Sequence, residues 1–338
     1  MSFTIRKITI DDFEEASSIF EFDNSVEELK WLFQNPDDEN DYNAMVAIDN
    51  NNEIIGVLGY FLSDYRNKDQ KISVVIPMNW IVKTGYKGFA GISLFKKVTN
   101  IRDTSIAIWG TDVVKKLYPM FKFKHVIDSD IFYKIIKPRR YFKILKRKNI
   151  LKKIGVFLFL IPSYFNKPLK RNLYSDVKLV PYTFDNFIQE KASFNTIKKV
   201  INKNYVDWML KCPSVDSFAF VVQREEEIFG ICVLYIKRIK NTYIGRIVHL
   251  PELGVDVKLW YSVINECVNF LKSKGCCFIS AVGIDEVEEE GITKSGFTKF
   301  HVHREPIYVK NENDTFNSMS FSKWSFQYSD GEIMLRNF

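Results

Sequence analysis

An apolar run ending Trp80-Ile81-Val82 is followed by Tyr86-Lys87-Gly88-Phe89-Ala90-Gly91-Ile92, and then by the helix-forming Ser93-Leu94-Phe95-Lys96-Lys97. These residue types suit the holding of an anion. The first N–H groups of a helix have no intrahelical acceptor, and the helix dipole adds positive potential at that end. Small residues at Gly88, Ala90 and Gly91 let a phosphate approach the backbone, and Lys87 adds a cation beside it. A Gly-containing stretch of this kind also serves as a plain turn. Its place between a strand and a helix favours the phosphate reading.

Other reactive side chains form no comparable constellation. Five cysteines, Cys212, Cys232, Cys267, Cys276 and Cys277, all lie in the second half and lack zinc-type spacing, so they read as reduced thiols packed in or near a core. His301 and His303 share one face of a strand, but no third metal ligand accompanies them. His125 reads as a surface residue. His249 stands near the end of an apolar strand, where a packed histidine is the ordinary case. Asp285 to Glu290 is an acidic run at a helix start, which suits the dipole and predicts a solvated face.

The elements that must position these groups follow from periodicity and caps. Thr4 to Thr9 alternates as a strand, and Asp11-Asp12 precedes a helix. Ser25 with Glu28 forms a capping box for a helix through Trp31 that ends before Pro36. Asn43 to Asp49 and Glu53 to Asp64 are strands joined by Asn50-Asn51-Asn52. Lys71 to Val82 is a long strand and Gly85 to Gly91 a loop. A helix begins at Ile92, a strand runs from Thr104 to Trp109, and a helix ends at Leu117. Asp130 to Ile136 closes the series. The second half repeats the order, with a long helix from Val257 to Lys274 and a last strand from Phe300 to Tyr308.

The halves also share local signals. Trp31 and Pro36 match Trp208 and Pro213 at an offset of 177, while Gly56 and Phe123 match Gly230 and Phe297 at an offset of 174. Near-constant offsets in the right order point to two copies of one domain. The repeated Trp residues read as structural anchors of a helix on a sheet; stacking on a sugar ring is the functional alternative.

The chain has 338 residues, is 46% hydrophobic and carries a net charge of +7. That charge is local. Twelve Lys or Arg and no Asp or Glu lie between Lys137 and Arg171; without them, 36 basic residues face 41 acidic ones. Nucleic acid is therefore an unlikely partner for the whole chain. Within this segment the apolar run from Ile154 to Ile161 is too short to span a bilayer. It reads either as a connector buried between domains or as a contact with an anionic membrane surface. No apolar signal-peptide core follows Met1, which predicts a cytoplasmic protein, peripheral at the inner membrane face if that contact is made.

The order β-α-α-β-β-β-α-β-α-β resembles that of the GNAT N-acyltransferase superfamily. The resemblance implies an α/β (α+β) chain of two tandem GNAT-like domains, each a mixed, mainly antiparallel twisted sheet flanked by helices. Their expected bounds are 1–136, with the acyl-coenzyme A site, and 176–338, with a degenerate donor site and an acceptor role, joined by a basic connector at 137–175. In the family, a loop of the form Arg/Gln-x-x-Gly-x-Gly/Ala holds the pyrophosphate of acyl-coenzyme A. Trp80, Ile81, Val82, Lys87, Gly88, Phe89, Ala90, Gly91 and Ile92 match that region, with Lys87 in the Arg place and Ala90 in a Gly place. Leu117-Tyr118-Pro119-Met120-Phe121-Lys122-Phe123 resembles the family's Leu-Tyr-x-x-x-Gly-Phe segment, whose Tyr in many members protonates the departing thiolate. Tyr118 is the corresponding acid, or else a Tyr packed under its helix. In the second half the matching loop reads Pro251-Glu252-Leu253-Gly254-Val255-Asp256, where a phosphate would meet two carboxylates.

Acyl transfer to an amine also needs a base. The long strand Lys71 to Val82 has no carboxylate, so the nearest candidate by sequence is Asp64. His249 would serve if it faced the same cleft. The Trp-x4-Pro repeat, Arg246-Ile247-Val248 and Trp324 with Asp330-Gly331-Glu332 are together similar to tandem GNAT-like proteins of bacterial surface-polysaccharide loci. This resemblance implies acetyl or related acyl transfer from coenzyme A, without a metal, to an amino group of a small molecule or sugar. A Fem-like peptidyltransferase using aminoacyl-tRNA and a non-catalytic binding protein remain alternatives.

Overall fold

The computed structural model describes residues 2–20, 25–66, 71–86, 88–108, 110–145, 154–155, 158, 161–165, 174–187, 197–283, 286–299, 305–311 and 324–330. They form two compact units, neither of which is a contiguous half of the sequence. Unit 1 takes Met1–Ile127, Asp207–Pro213 and Glu305–Ser322; unit 2 takes Asp128–Val206, Ser214–Arg304 and Lys323–Phe338. His301, His303 and the tail from Gly331 lie outside the described residues, as do Lys87 and Trp109.

The chain begins with β1 (Phe3–Lys7), α1 (Phe13–Ile19), α2 (Val26–Phe33), β2 (Ala44–Asp49), β3 (Ile54–Arg66) and β4 (Lys71–Val82). Next come α3 (Phe89–Thr99), β5 (Thr104–Ile108), α4 (Asp112–Leu117) and β6 (Lys124–Ile135). The capping box of α2 is formed: Glu28 N–H donates to Ser25 Oγ at 3.1 Å, and Ser25 N–H donates to Glu28 at 3.2 Å. Helix α3 begins three residues earlier than its apolar period suggests. Gly88 takes the cap position, so Phe89 to Gly91 are helical rather than loop.

Later elements are α5 (Pro138–Ile144), α6 (Pro162–Phe165), β7 (Val177–Pro181), β8 (Ile197–Lys199), α7 (Lys203–Leu210), β9 (Asp216–Arg224), β10 (Glu227–Ile239) and β11 (Thr242–His249). They continue with α8 (Val257–Ser273), β12 (Cys276–Gly283), α9 (Glu286–Lys294) and β13 (Glu305–Asn311).

In unit 1 the strands run β1-β2-β3-β4-β5-β13. All pairs are antiparallel except β4 with β5. Side chains alternate across β3, so its two faces pack against different helices. On one face Leu58 and Tyr60 meet Leu94, Phe95 and Val98 of α3. On the other, Phe33 of α2 lies so close over Gly59 that an added Cβ would stand 2.4 Å from its ring. In unit 2 the order is β6-β12-β11-β10-β9-β7, with only β11 and β12 parallel. Helix α8 covers its core through Leu259, Val263, Cys267 and Leu271. All five cysteines are buried as thiols. The acidic run is not wholly solvated: Glu288 is buried.

Trp31 and Trp208 do more than anchor their helices. Their rings stack with centroids 4.6 Å apart and planes within 5°. Trp31 Nε1 donates to the Trp208 carbonyl at 2.8 Å, and Trp208 Nε1 donates to the Trp31 carbonyl at 2.7 Å. Each indole thus serves a last-turn carbonyl of the other helix. Trp208 also sets its edge against Phe61 of β3, 5.5 Å away.

Two outcomes are expected. Trp208→Phe keeps an aromatic stack but removes one buried hydrogen bond, and lowers stability by about 1–2 kcal/mol in urea unfolding; Trp208→Ala costs about 3–5 kcal/mol. A fragment of residues 1–136 lacks β13 and the Trp208 segment, and is expected to show no cooperative thermal transition by circular dichroism.

Candidate functional site

Strand β4 stays paired with β3 to its end, where Ile81 faces Val57 and Val82 faces Gly56. The register shifts between Val57 and Gly59, so that Asn79 and Trp80 form a bulge on β4. Asn79 carries the shift with φ of 49°, a left-handed conformation that Asn adopts more readily than most residues.

On its other side, among the described residues, β4 is joined to β5 only through Val74–Thr104 and Val75–Ser105. Beyond that point the two parallel strands part. Bulge and parting together open a wedge between Ile76–Val82 and the end of β5, along which an extended ligand would run.

Helix α3 starts at the mouth of this wedge. Its first intrahelical bond runs from Ile92 N–H to the Gly88 carbonyl, 3.2 Å, so the N–H groups of Phe89, Ala90 and Gly91 precede it. Among the described residues no side chain caps this end, and its first turn holds no acidic residue. The helix seats close to the strands because two positions lack a side chain. A Cβ on Gly91 would meet Trp80 at 3.3 Å, and one on Gly56 would meet Leu94 at 3.0 Å. Trp80 in turn stacks on Phe95 with centroids 4.8 Å apart. Ala90 is buried, whereas Phe89 and Ile92 are exposed. The preceding turn is tied down by Tyr86 Oη donating to Asp49 at 3.2 Å and by Lys83 with Glu53 at 3.4 Å. Small residues, first-turn N–H groups and the lack of a nearby first-turn acid fit a pyrophosphate. Lys87 falls outside the described residues, so its part stays with the sequence.

Tyr118 follows α4 on a single 3-10 turn, Tyr118–Phe121, and is buried. Its ring is held by Phe123 at 5.5 Å, Phe95 at 6.0 Å and Tyr308 of β13 at 4.7 Å. Its hydroxyl lies over Gly110, just beyond β5, where an added Cβ would come within 2.9 Å. The phenol is therefore both packed, as a structural Tyr would be, and aimed at the β5 side of the wedge. Gly110 and Asn79 escaped the sequence reading. Their signals are a Gly directly after a buried strand and an Asn inside one.

Of the two base candidates, Asp64 lies away from this cluster within unit 1, and His249 belongs to the other unit. Asp64 pairs with Ser73 on the hairpin end of β3, roughly 30 Å along β4 from Val82 at ~3.3 Å per residue. Partial burial pushes its carboxyl up, but the Lys71 ammonium at 2.7 Å and the Ser73 hydroxyl at 2.7 Å together bring it below the ordinary value. An anion so held is a poor proton acceptor. His249 belongs to unit 2. It is buried at the end of β11, with Nδ1 3.0 Å from Ser329 Oγ. The Ser329 carbonyl accepts from Lys199 Nζ at 2.9 Å and from Tyr205 Oη at 2.6 Å.

Unit 2 handles its corresponding helix start differently. Asp256 caps α8 and accepts from Lys258 N–H at 2.9 Å and Leu259 N–H at 3.3 Å. It also accepts from Tyr174 Oη at 3.0 Å. A carboxylate already occupies the position where a phosphate would need those donors.

No sequence-family model and no curated sequence matches the chain. Solved structures do. One is a GCN5-related N-acetyltransferase from Anabaena variabilis, with TM-score 0.59 and 10% identity, covering 92% of this chain and 73% of that one. A second is Saccharomyces cerevisiae N-myristoyltransferase with bound myristoyl-CoA, with TM-score 0.56 and 9% identity, covering 92% and 79%. A conserved Enterococcus faecalis protein gives TM-score 0.57 at 8% identity, covering 94% and 74%. The fold is that of the GNAT acyltransferases. At these identities the likeness speaks for the GNAT fold alone.

Gly91→Leu is expected to displace Trp80 from Phe95. It should cost about 1–3 kcal/mol in urea unfolding and shift the tryptophan emission.

Proposed function

We propose that the chain is a tandem GNAT-fold N-acyltransferase. Its first unit binds acetyl-coenzyme A or a related acyl-coenzyme A, and the acyl group passes to an amino group. The acceptor we favour is an amino sugar of a bacterial surface-glycan pathway in the cytoplasm, with unit 2 serving the acceptor. The observation that carries the reading is the wedge between β4 and β5 with the uncapped first turn of α3 at its mouth. A long thin ligand with phosphates at one end matches both parts. That N-myristoyltransferase of the same fold was solved with bound myristoyl-CoA supports the donor class.

The chemistry follows from that placement. The pyrophosphate rests on the N–H groups of Phe89, Ala90 and Gly91, and the pantetheine arm runs along the parted edge of β4. A neutral amine attacks the thioester carbonyl; a C–N bond forms, the C–S bond breaks, and the amine loses its proton to solvent. Tyr118 donates its phenolic proton to the leaving sulfur and regains one from solvent. The rigid ring packing keeps the phenol at one place, which spares reorganisation during the step.

Acetyl-coenzyme A at about 100 times its Kd is expected to stabilise the protein by about 2.7 kcal/mol, read as a rise in melting temperature. Absence of both a thermal shift and a calorimetric signal would sink the proposal. Tyr118→Phe is expected to lower kcat by about 10²–10⁴-fold while leaving the Kd for acetyl-coenzyme A within about twofold. Gly110→Ala, which crowds the same hydroxyl, should lower kcat in the same direction by a smaller factor.

A further inference from the structure

Residues Lys137 to Arg171 carry twelve Lys or Arg and no Asp or Glu, nine of them before Ile154 and three after Asn166. The described part of this segment, all within unit 2, shows what that charge accompanies. Helix α5 presents two faces. Tyr141 is buried and stacks on Phe278 with centroids 4.4 Å apart and planes within 5°. Ile144 and Leu145 pack against the same cluster. The opposite face carries Arg139, Arg140 and Lys143, all exposed.

Further on, α6 is fixed by Ser163, whose buried Oγ accepts from Ile135 N–H at 3.0 Å. Its neighbours Tyr164 and Phe165 point outward, 47% and 68% exposed. Between these anchors Ile154 and Leu158 are exposed at 39% and 58%. Apolar side chains of a buried connector would be covered; these are not.

We propose that the exposed groups of α5, Leu158 and α6 in unit 2 bind the surface of an anionic phospholipid bilayer. Arg139, Arg140 and Lys143 would lie among the headgroups, with Leu158 and Phe165 at the acyl boundary. Cations attract such a surface within about a Debye length, and exposed apolar groups convert that attraction into insertion. Charge complementarity and apolar exposure occur together on a segment clamped at both ends, which makes this a shallow, peripheral contact. No helix among the described residues is long and apolar enough to cross a membrane.

Flotation of the full chain with vesicles tests the assignment. One set is phosphatidylcholine alone; the other holds about equal parts of phosphatidylcholine and phosphatidylglycerol. Wild type is expected to float with the anionic vesicles only, and to be released as salt rises from about 0.05 to about 0.5 M. The triple variant Arg139→Gln, Arg140→Gln, Lys143→Gln should bind anionic vesicles at least about tenfold more weakly. The double variant Leu158→Ser, Phe165→Ser keeps every charge and should also lose about tenfold or more.

Each substituted side chain is exposed, and unchanged melting temperatures verify the fold. No flotation with anionic vesicles overturns the proposal. So does wild-type flotation by the double variant. Binding of tRNA that rivals vesicle binding and ignores Leu158 and Phe165 would assign the surface to nucleic acid instead, and would equally overturn it.

Discussion

The reciprocal pair of Trp31 and Trp208 is the contact on which unit 1 depends. An indole buried for its area must still satisfy its N–H, and a helix must satisfy its last carbonyls. Here each need answers the other twice, across rings 4.6 Å apart. The arrangement fixes α2 and the segment Asp207–Pro213 against each other, and Trp208 against Phe61 of β3. One face of the sheet is thereby committed to α1, α2 and the Trp pair. Only the other remains for α3, and α3 is what brings a helix start to the parted end of β4.

The helices that follow β4 and β11, α3 and α8, start differently. In α3 the first turn is lined with Gly88, Ala90 and Gly91 and carries no acid. In α8 the carboxylate of Asp256 occupies the first-turn donors and is itself tied to Tyr174. The difference costs little in fold stability, because an N-cap carboxylate is worth about 0.5–2 kcal/mol to its helix. It decides chemistry instead. A phosphate has open donors at α3, whereas at α8 it would displace one anion and face its charge.

Much of this was legible in the sequence, for reasons that differ by element. The α2 capping box, the strand β4 to the residue, and the β2–β3 pair follow local rules of cap, alternation and turn, which need no knowledge of the rest of the chain. The stretch from Gly88 to Gly91 was recognisable by composition, but the helical state of Phe89 to Gly91 was not, because Gly88 and Gly91 argue against helix and close seating on Trp80 overrides them. Two kinds of feature escaped altogether. One is partnership over long separations: nothing near Trp31 announces Trp208, and nothing near β5 announces that β13 pairs with it. The other is the direction of a side chain. Asp64 and His249 are the right residue types, yet one is clamped by Lys71 far along β4 and the other faces Ser329 in unit 2.

The position of Tyr118 shows how tightly the remaining freedom is used. A phenol held on three aromatic neighbours cannot search for its partner; it must be placed by backbone. Thr111 caps α4 by accepting from Val114 N–H, Lys122 takes a left-handed φ of 63°, and Phe123 N–H returns to the Tyr118 carbonyl at 3.1 Å. These three local devices fix the turn without any glycine in it, which is why Lys122 can stand where the family resemblance predicts Gly. An αL residue other than Gly costs about 1 kcal/mol or more, and the buried ring of Phe123 against Tyr118 and Phe95 offsets it. The cost of a left-handed Lys122 is met by packing, and the hydroxyl is held over Gly110. At Gly110 itself no such exchange is open, since the clash there is with the hydroxyl and not with the turn.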